Sequence, residues 1–242
     1  MAALLAAEGL SVKSGFGAVG NGVADDAIAL GTSLASVSGL GGGKLYFPRS
    51  TYLVNSSLSV LSGSTLHGEN SASLIQRGAT DMATNKGVLD IASTVTDVVL
   101  EGLTFDGAVT TPTQIAYSYP PFTPYDARFV KNSMVWINGG AKKIIIRKCL
   151  FRHASGYAIY IDATTGNIVD VIVEDNTFED CRPFTFTAGS WQSSADLAYG
   201  QVGSWIGPIH AEGDGDNYGV TNLTIRRNII KRCSGNKKML PA

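Results

Sequence analysis

The sequence predicts an all-β solenoid, a column of stacked coils built from short parallel strands, with one amphipathic helix near the N-terminus. Three observations carry that expectation. Four stretches superpose so that apolar and polar residues coincide: Asp97-Val-Val-Leu-Glu-Gly-Leu-Thr-Phe105, Lys143-Ile-Ile-Ile-Arg-Lys-Cys-Leu-Phe151, Asp170-Val-Ile-Val-Glu-Asp-Asn-Thr-Phe178 and Asn222-Leu-Thr-Ile-Arg-Arg-Asn-Ile-Ile230. Units this short cannot bury their own apolar faces and must stack on copies of themselves. Next, 28 glycines and only 16% charged residues suit many tight turns between short strands. Finally, Ala27, Leu30, Leu34 and Val37 recur at helical spacing, bounded by Asp25 and Asp26 before and by Gly39 and Gly41 to Gly43 after. The aspartates are expected to cap the free N–H groups of that helix. A helix laid across the open end of a solenoid acts as its cap.

With 242 residues and 44% hydrophobic side chains, the chain can bury a full core as one elongated domain. No apolar run approaches the roughly 20 residues that span a bilayer, so no membrane partner is expected. The opening Met-Ala-Ala-Leu-Leu-Ala-Ala-Glu lacks the basic start and length of a secretory signal. The expectation is a chain that is not exported by that route or that begins beyond a removed leader. Nineteen basic against 20 acidic side chains, a net charge of −1, supply no electrostatic reason to bind nucleic acid. Cys149, Cys181 and Cys233 have no metal-type spacing and read as reduced and mostly buried, with a disulfide between two of them as the alternative.

After the helix, Lys44-Leu-Tyr-Phe-Pro-Arg-Ser-Thr-Tyr-Leu-Val54 reads as two short strands separated by Pro48. Together with Phe16-Gly-Ala-Val-Gly-Asn-Gly-Val-Ala-Asp-Asp-Ala-Ile28, it resembles the N-terminal signature of the pectate-lyase-like right-handed parallel β-helix superfamily. That superfamily includes polygalacturonase-like hydrolases, polysaccharide lyases and phage tailspike proteins. The resemblance implies the architecture and makes polysaccharide the ligand class, without implying a reaction. Ser50 stands where the signature usually has glycine. The paired-aspartate motif and the downstream Arg-x-Lys of polygalacturonases are not evident, so that family's catalytic residues are not carried over. The expected organisation is a cap over residues 1–66 and coils over 67–242, with insertions near 108–132 and 189–207. The repeat offsets alternate between one coil and nearly two, so the longer gaps hold an insertion, an extra coil or both.

Strand parity sorts the side chains. Val98 and Leu100, Ile144 and Ile146, Val171 and Val173, and Leu223 and Ile225 point inward. Asn176 and Asn228 form an internal amide ladder, and Phe105, Phe151, Phe178 and Ile230 stack beyond it. Outward lie a charged row, Glu101, Arg147, Glu174 and Arg226, and an apolar row, Val99, Ile145, Ile172 and Thr224. The apolar row is expected to be covered by another subunit, by a loop or by nothing; the first would suit a homo-trimer, as in many tailspikes of the resembled superfamily.

A second set of strands places two more outward ladders: Asp90, Trp136, Tyr160, Thr185, His210 and, beside it, Ala92, Asn138, Asp162, Thr187, Glu212. Trp136 over Tyr160 offers sugar rings a flat platform. Glycoside hydrolysis needs two carboxyl groups; with Thr187 between them, Asp162 and Glu212 would sit two coils apart, within the inverting range after side-chain torsion. Asp162 and Glu212 are therefore the candidate catalytic pair, with His210 or Asp214 as auxiliary. Asp90, Trp136, Asn138, Tyr160, Trp205 and Asp214 are candidate substrate-binding residues. No metal or other cofactor is expected, although Glu212-Gly-Asp-Gly-Asp216 reads as either a turn or a loose Ca²⁺ site. A lyase base, from Tyr160, Tyr218 or Lys131, forms no diagnostic cluster; His67 and His153 read as structural. The leading reading is a polysaccharide-binding and polysaccharide-cleaving protein of tailspike or depolymerase type, in a virion tail or outside the cell. The alternatives are a non-catalytic structural or receptor-binding virion component and a truncated secreted cell-wall hydrolase or lyase.

Overall fold

A computed structural model describes residues 9–69, 73–77, 87–108, 133–154, 157–181, 208–214 and 217–233. Its described strands are assembled into three sheets of parallel neighbours, with strands from before and after residue 66 in each. The first sheet stacks Leu10–Ser11, Gly43–Phe47, Ser64–Gly68, Thr96–Glu101, Lys142–Arg147, Ile168–Glu174 and Val220–Arg226. The second stacks Asn21–Asp25, Ser50–Val54, Ser73–Arg77, Thr104–Asp106, Leu150–Arg152, Thr177–Glu179 and Ile229–Lys231. The third, which carries the candidate site, stacks Leu58–Val60, Leu89–Ile91, Val135–Asn138, Ile159–Ala163 and Ile209–Gly213. The chain visits the sheets in turn, coil after coil, and the core lies between them. This is the β-helix that the repeats predict.

The register reproduces the superposed columns. Val98, Ile144, Val171 and Leu223 are successive partners across the first sheet, and Val99, Ile145, Ile172 and Thr224 are the adjacent column. Because these strands pair directly, the long gaps between repeats are insertions within a coil and not extra coils. The same applies to the third sheet. There Tyr160 pairs with His210 and Asp162 with Glu212, leaving no room for a strand carrying Thr185 and Thr187 between them. The two ladders expected to include those threonines therefore lack them; Phe184 to Thr187 lie outside the described residues.

A recurrent backbone feature keeps the coils in step. Asp97, Lys143, Asp170 and Asn222 occupy equivalent positions and all have φ between 55° and 60°. This left-handed region disfavours β-branched residues and is tolerated by Asp and Asn. It inserts one residue before each inward-facing pair, which is why Lys142 pairs with Thr96 and Val169 while the next pairing is at Ile144. A second such position follows each strand at Gly102, Lys148, Asp175 and Arg227 and turns the chain into the second sheet.

The interior is ordered by like-on-like stacking. The Phe105, Phe151 and Phe178 rings lie nearly parallel at centroid distances of 4.9 and 5.1 Å. The amide ladder exists as expected: Asn176 Nδ2 donates to Ile146 O at 2.9 Å and to Asn228 Oδ1 at 3.0 Å, and Asn176 Oδ1 accepts from Cys149 N at 2.9 Å. The corner groups Cys149 N and Ile146 O are thereby satisfied by a side chain. Inward Ile225 and Ile230 are nevertheless exposed, because no further described coil stacks on theirs.

The helix, Ala27–Gly39, buries Ala27, Leu30, Ser33, Leu34 and Val37 against the first coil and leaves Ile28 86% exposed. Its capping differs from expectation at one residue. Asp25 Oδ1 accepts from Ala27 N at 3.0 Å, but the Asp26 carboxylate makes no cap bond. It turns back and accepts from Val19 N at 2.6 Å and Gly20 N at 3.0 Å, closing the glycine-rich loop instead. No described helix is long and apolar enough to cross a membrane.

Candidate functional site

The outer face of the third sheet carries one row of Ser59, Asp90, Trp136, Tyr160 and His210 and a second of Asn138, Asp162 and Glu212. Strand alternation places them there: their neighbours Leu89, Ile91, Val135, Ile137, Ile159 and Ile161 fill the core. The turn leaving this face is tight. A Cβ at Gly139 would stand 2.5 Å from Gly166 N on the next coil, so the closely stacked corners need glycine there.

The expected aromatic platform is a buried cluster. Trp136 is 2% and Tyr160 3% exposed, and together they form an apolar group outside the main core. The rings meet at 5.0 Å with a 55° tilt. Trp136 Nε1 is buried with no acceptor among the described residues, and a desolvated donor ordinarily carries a penalty of about 1–3 kcal/mol. Asp90, expected beside the platform, is buried as well, and it accepts from Asn138 Nδ2 at 3.0 Å. The same Nδ2 donates to Ile91 O at 3.0 Å. Those two substrate-binding candidates thus hold each other. Parity put these side chains on the correct side of the strand, but pointing away from the core is not the same as meeting solvent.

Tyr157 is a member of the cluster that sequence reasoning missed. It stacks on His210 at 4.6 Å and 11° and on Tyr160 at 5.2 Å and 27°. Its only signal is the Tyr157-x-x-Tyr160 spacing at the entrance to a strand, which does not fix a shared face.

The proposed carboxyl pair is closer than expected and differently engaged. Direct pairing puts the Asp162 and Glu212 backbones one strand spacing apart, about 4.8 Å. The two-coil separation behind an inverting geometry is therefore corrected. Asp162 Oδ1 accepts from Thr164 N at 3.1 Å and from Thr164 Oγ1 at 2.5 Å, an Asx-type turn within its own loop. Glu212 accepts from the Tyr160 hydroxyl on one oxygen, while its other oxygen lies 3.2 Å from His210 Nε2. Burial pushes the Glu212 carboxyl up, but the hydrogen bonds from His210 and Tyr160 outweigh it and hold the group below its ordinary value of 4.5. An ionised, doubly bonded carboxylate suits a base, a nucleophile or an anchor, and not the protonated acid that glycosidic cleavage also requires.

Asp214 is exposed and belongs to a turn, with its N–H donating to Tyr218 O at 3.1 Å and its carbonyl accepting from Asn217 N at 2.9 Å. The Glu212-to-Asp216 segment is thus a turn where it is described, and Glu212 itself is occupied by Tyr160 and His210. Among the described residues no three His, Cys, Asp or Glu side chains are grouped to hold a metal ion. Trp205, Lys131 and the insertions over 109–132 and 182–207 lie outside the described residues. His153 Nδ1 is 3.0 Å from buried Asp106, which also accepts from Arg152 Nε at 2.8 Å, a structural arrangement as expected.

Residues 10–195 match the family model for rhamnogalacturonase A/epimerase, pectate lyase-like proteins. The chain belongs to this family. A similar curated protein is the plasmin and fibronectin-binding protein A of Streptococcus pneumoniae (strain ATCC BAA-255 / R6), 28% identical over 179 residues. That match takes in 66% of this chain and 23% of the relative, so the chain spans under a quarter of that protein's length. The crystal structure of PfbA, a surface adhesin of S. pneumoniae, superposes with a TM-score of 0.64 at 22% identity over 90% of this chain and 48% of that one. A putative glycosyl hydrolase from Parabacteroides merdae gives 0.56 at 14% identity, over 94% and 98% of the two chains. The pre-mature gene product 12 of bacteriophage phi29 gives 0.52 at 16% identity, over 94% and 33%. These structural likenesses show a shared fold. The pectate lyase-like family spans more than one chemistry, so what this member does rests on its own side chains.

Proposed function

We propose that this chain is the ligand-binding β-helix of a non-catalytic, receptor-binding surface component, extracellular or on a virion tail, and that its ligand is a polysaccharide. One observation carries the reading: the two carboxylates best placed for hydrolysis are committed internally, Asp162 to its own turn and Glu212 to Tyr160 and His210. No second group is positioned as a protonated acid on the described face. The surface adhesin of S. pneumoniae and the phage protein among the structural neighbours support surface attachment. Homo-trimerisation along the Val99, Ile145 and Ile172 row belongs to the same proposal.

The test is to incubate the purified chain with capsular and O-antigen glycans and to measure retention and reducing-end release. Retention without release is expected, with Asp162→Asn and Glu212→Gln leaving retention intact. Release by the wild type that disappears in Glu212→Gln would replace this reading with cleavage. That second reading, the depolymerase, is favoured by the Tyr160–Glu212–His210 network, in which an ionised carboxylate is oriented by a phenol and an imidazole.

A further inference from the structure

The turn after the second sheet brings together two cysteines that the sequence separates. Glu179 pairs with Lys231, Asp180 N donates to Lys231 O at 3.1 Å, and the Asp180 carboxylate accepts from Arg232 Nε at 2.8 Å. The 52-residue offset of those contacts carries on by one residue and sets Cys233 beside Cys181. Neighbouring parallel strands lie about 4.8 Å apart, inside the Cα separation of about 4.4–6.8 Å that a disulfide bridges. The two thiols are close enough to shift each other's ionisation, Cys181 upward and Cys233 downward. Cys181 is buried, and its thiol also points to Phe151 O at 3.5 Å; Cys233 is half-buried and open to a small reagent. No disulfide joins them in this structure.

We propose that Cys181 and Cys233 are a redox-active pair that closes an inter-coil disulfide when met by a small-molecule disulfide. The arrangement divides the labour between them. The adjacent Cys181 thiol lowers the Cys233 thiol to about 7, against the opposing effect of burial, so Cys233 supplies the attacking thiolate near neutral pH. The same contact, with burial added, raises Cys181 and keeps it protonated while Cys233 is anionic. The Cys233 thiolate attacks one sulfur of oxidised glutathione; the glutathione S–S bond breaks, a mixed disulfide forms and one glutathione thiolate leaves. With the anionic neighbour gone, Cys181 loses its proton to solvent, and its sulfur attacks the Cys233 sulfur and expels the second glutathione thiolate. Two protein thiols are oxidised and one reagent disulfide is reduced to two thiols. Cys149 stays out of this chemistry, because burial pushes its thiol up to about 12. The bond would clamp the last described coil to its neighbour and close a loop that includes the 182–207 insertion. Such a clamp suits a chain exposed to oxidising surroundings, but it does not depend on the function proposed above.

The full chain is reduced, freed of reductant and equilibrated with excess oxidised glutathione. Titration with DTNB in denaturant is expected to fall from three thiols to one, with a peptide linking Cys181 to Cys233 in the digest and a higher thermal midpoint for the oxidised form. Cys149→Ser should still lose two thiols. Cys181→Ser, checked for native circular dichroism, should stop at a glutathione adduct on Cys233, and Cys181→Ala repeats the measurement if serine disturbs the buried site. Three retained thiols, a bridge that includes Cys149, a bridge between two copies, or wild-type protein that accumulates separate glutathione adducts would each overturn the proposal.

Discussion

At the residue scale, the most informative side chain is Glu212. It is the point where the aromatic cluster and the carboxylate row meet, held by Tyr160 and His210. Its folded-state carboxyl titrates below 4.5, the hydrogen bonds outweighing burial. A depressed carboxyl contributes stability that is fully present above the unfolded value and is lost as pH falls through the folded one. The wild type should therefore lose thermal stability below about pH 4.5 more steeply than Glu212→Gln. Melting curves recorded from pH 7 to pH 3 check this; parallel acid limbs for the two proteins would show that the Tyr160 and His210 bonds contribute nothing to the folded state.

At the element scale, the corner between the first and second sheets depends on the amide ladder. Asn176→Ala removes the acceptor of Cys149 N and a donor to Ile146 O, leaving both buried, and should destabilise by about 2–4 kcal/mol. Asn228 makes similar bonds, to Asn176 and Val173 O, but it is half-buried and in the last described coil. Water can replace those partners, so Asn228→Ala should cost about 1 kcal/mol or less. Urea unfolding of the two variants provides the comparison, and equal losses would mean that coil position is irrelevant. The charged row on the neighbouring strands behaves differently. Arg147 reaches Glu101 at 2.8 Å and Arg226 reaches Glu174 at 2.7 Å, but exposed pairs of this kind contribute little.

At the scale of the whole molecule, the proposed assembly rests on one apolar row. Val99, Ile145 and Ile172 stand in register on an outer face and are half-buried in the single chain. If a second copy covers them, each contributes up to about 1.5–3 kcal/mol. Ile145→Asp would then place an unpaired charge in an apolar seam and dissociate the oligomer. Light scattering is expected to give a trimer for the wild type and a monomer for the variant; a monomeric wild type would remove self-association from the proposed function.

What the sequence determined by itself was the periodic part of the protein. Column-by-column similarity fixed the register of Val98, Ile144, Val171 and Leu223, because strand neighbours in a solenoid are the same position of successive repeats. Parity found the phenylalanine stack, the asparagine ladder and the outward set of the third sheet, since alternation is a property of the strand alone. Only the tertiary structure decided the rest. Whether a gap of nearly two repeats was a coil or an insertion depended on which strands pair, and the direct Asp162–Glu212 pairing halved the backbone separation inferred for those two residues. The burial of Trp136 and Tyr160, the Tyr157 stack, the return of Asp26 to its loop and the meeting of Cys181 with Cys233 depend on neighbours distant in sequence. Periodicity specifies the direction of a side chain relative to its strand, whereas contact and solvent access are fixed by what the folded chain brings against it.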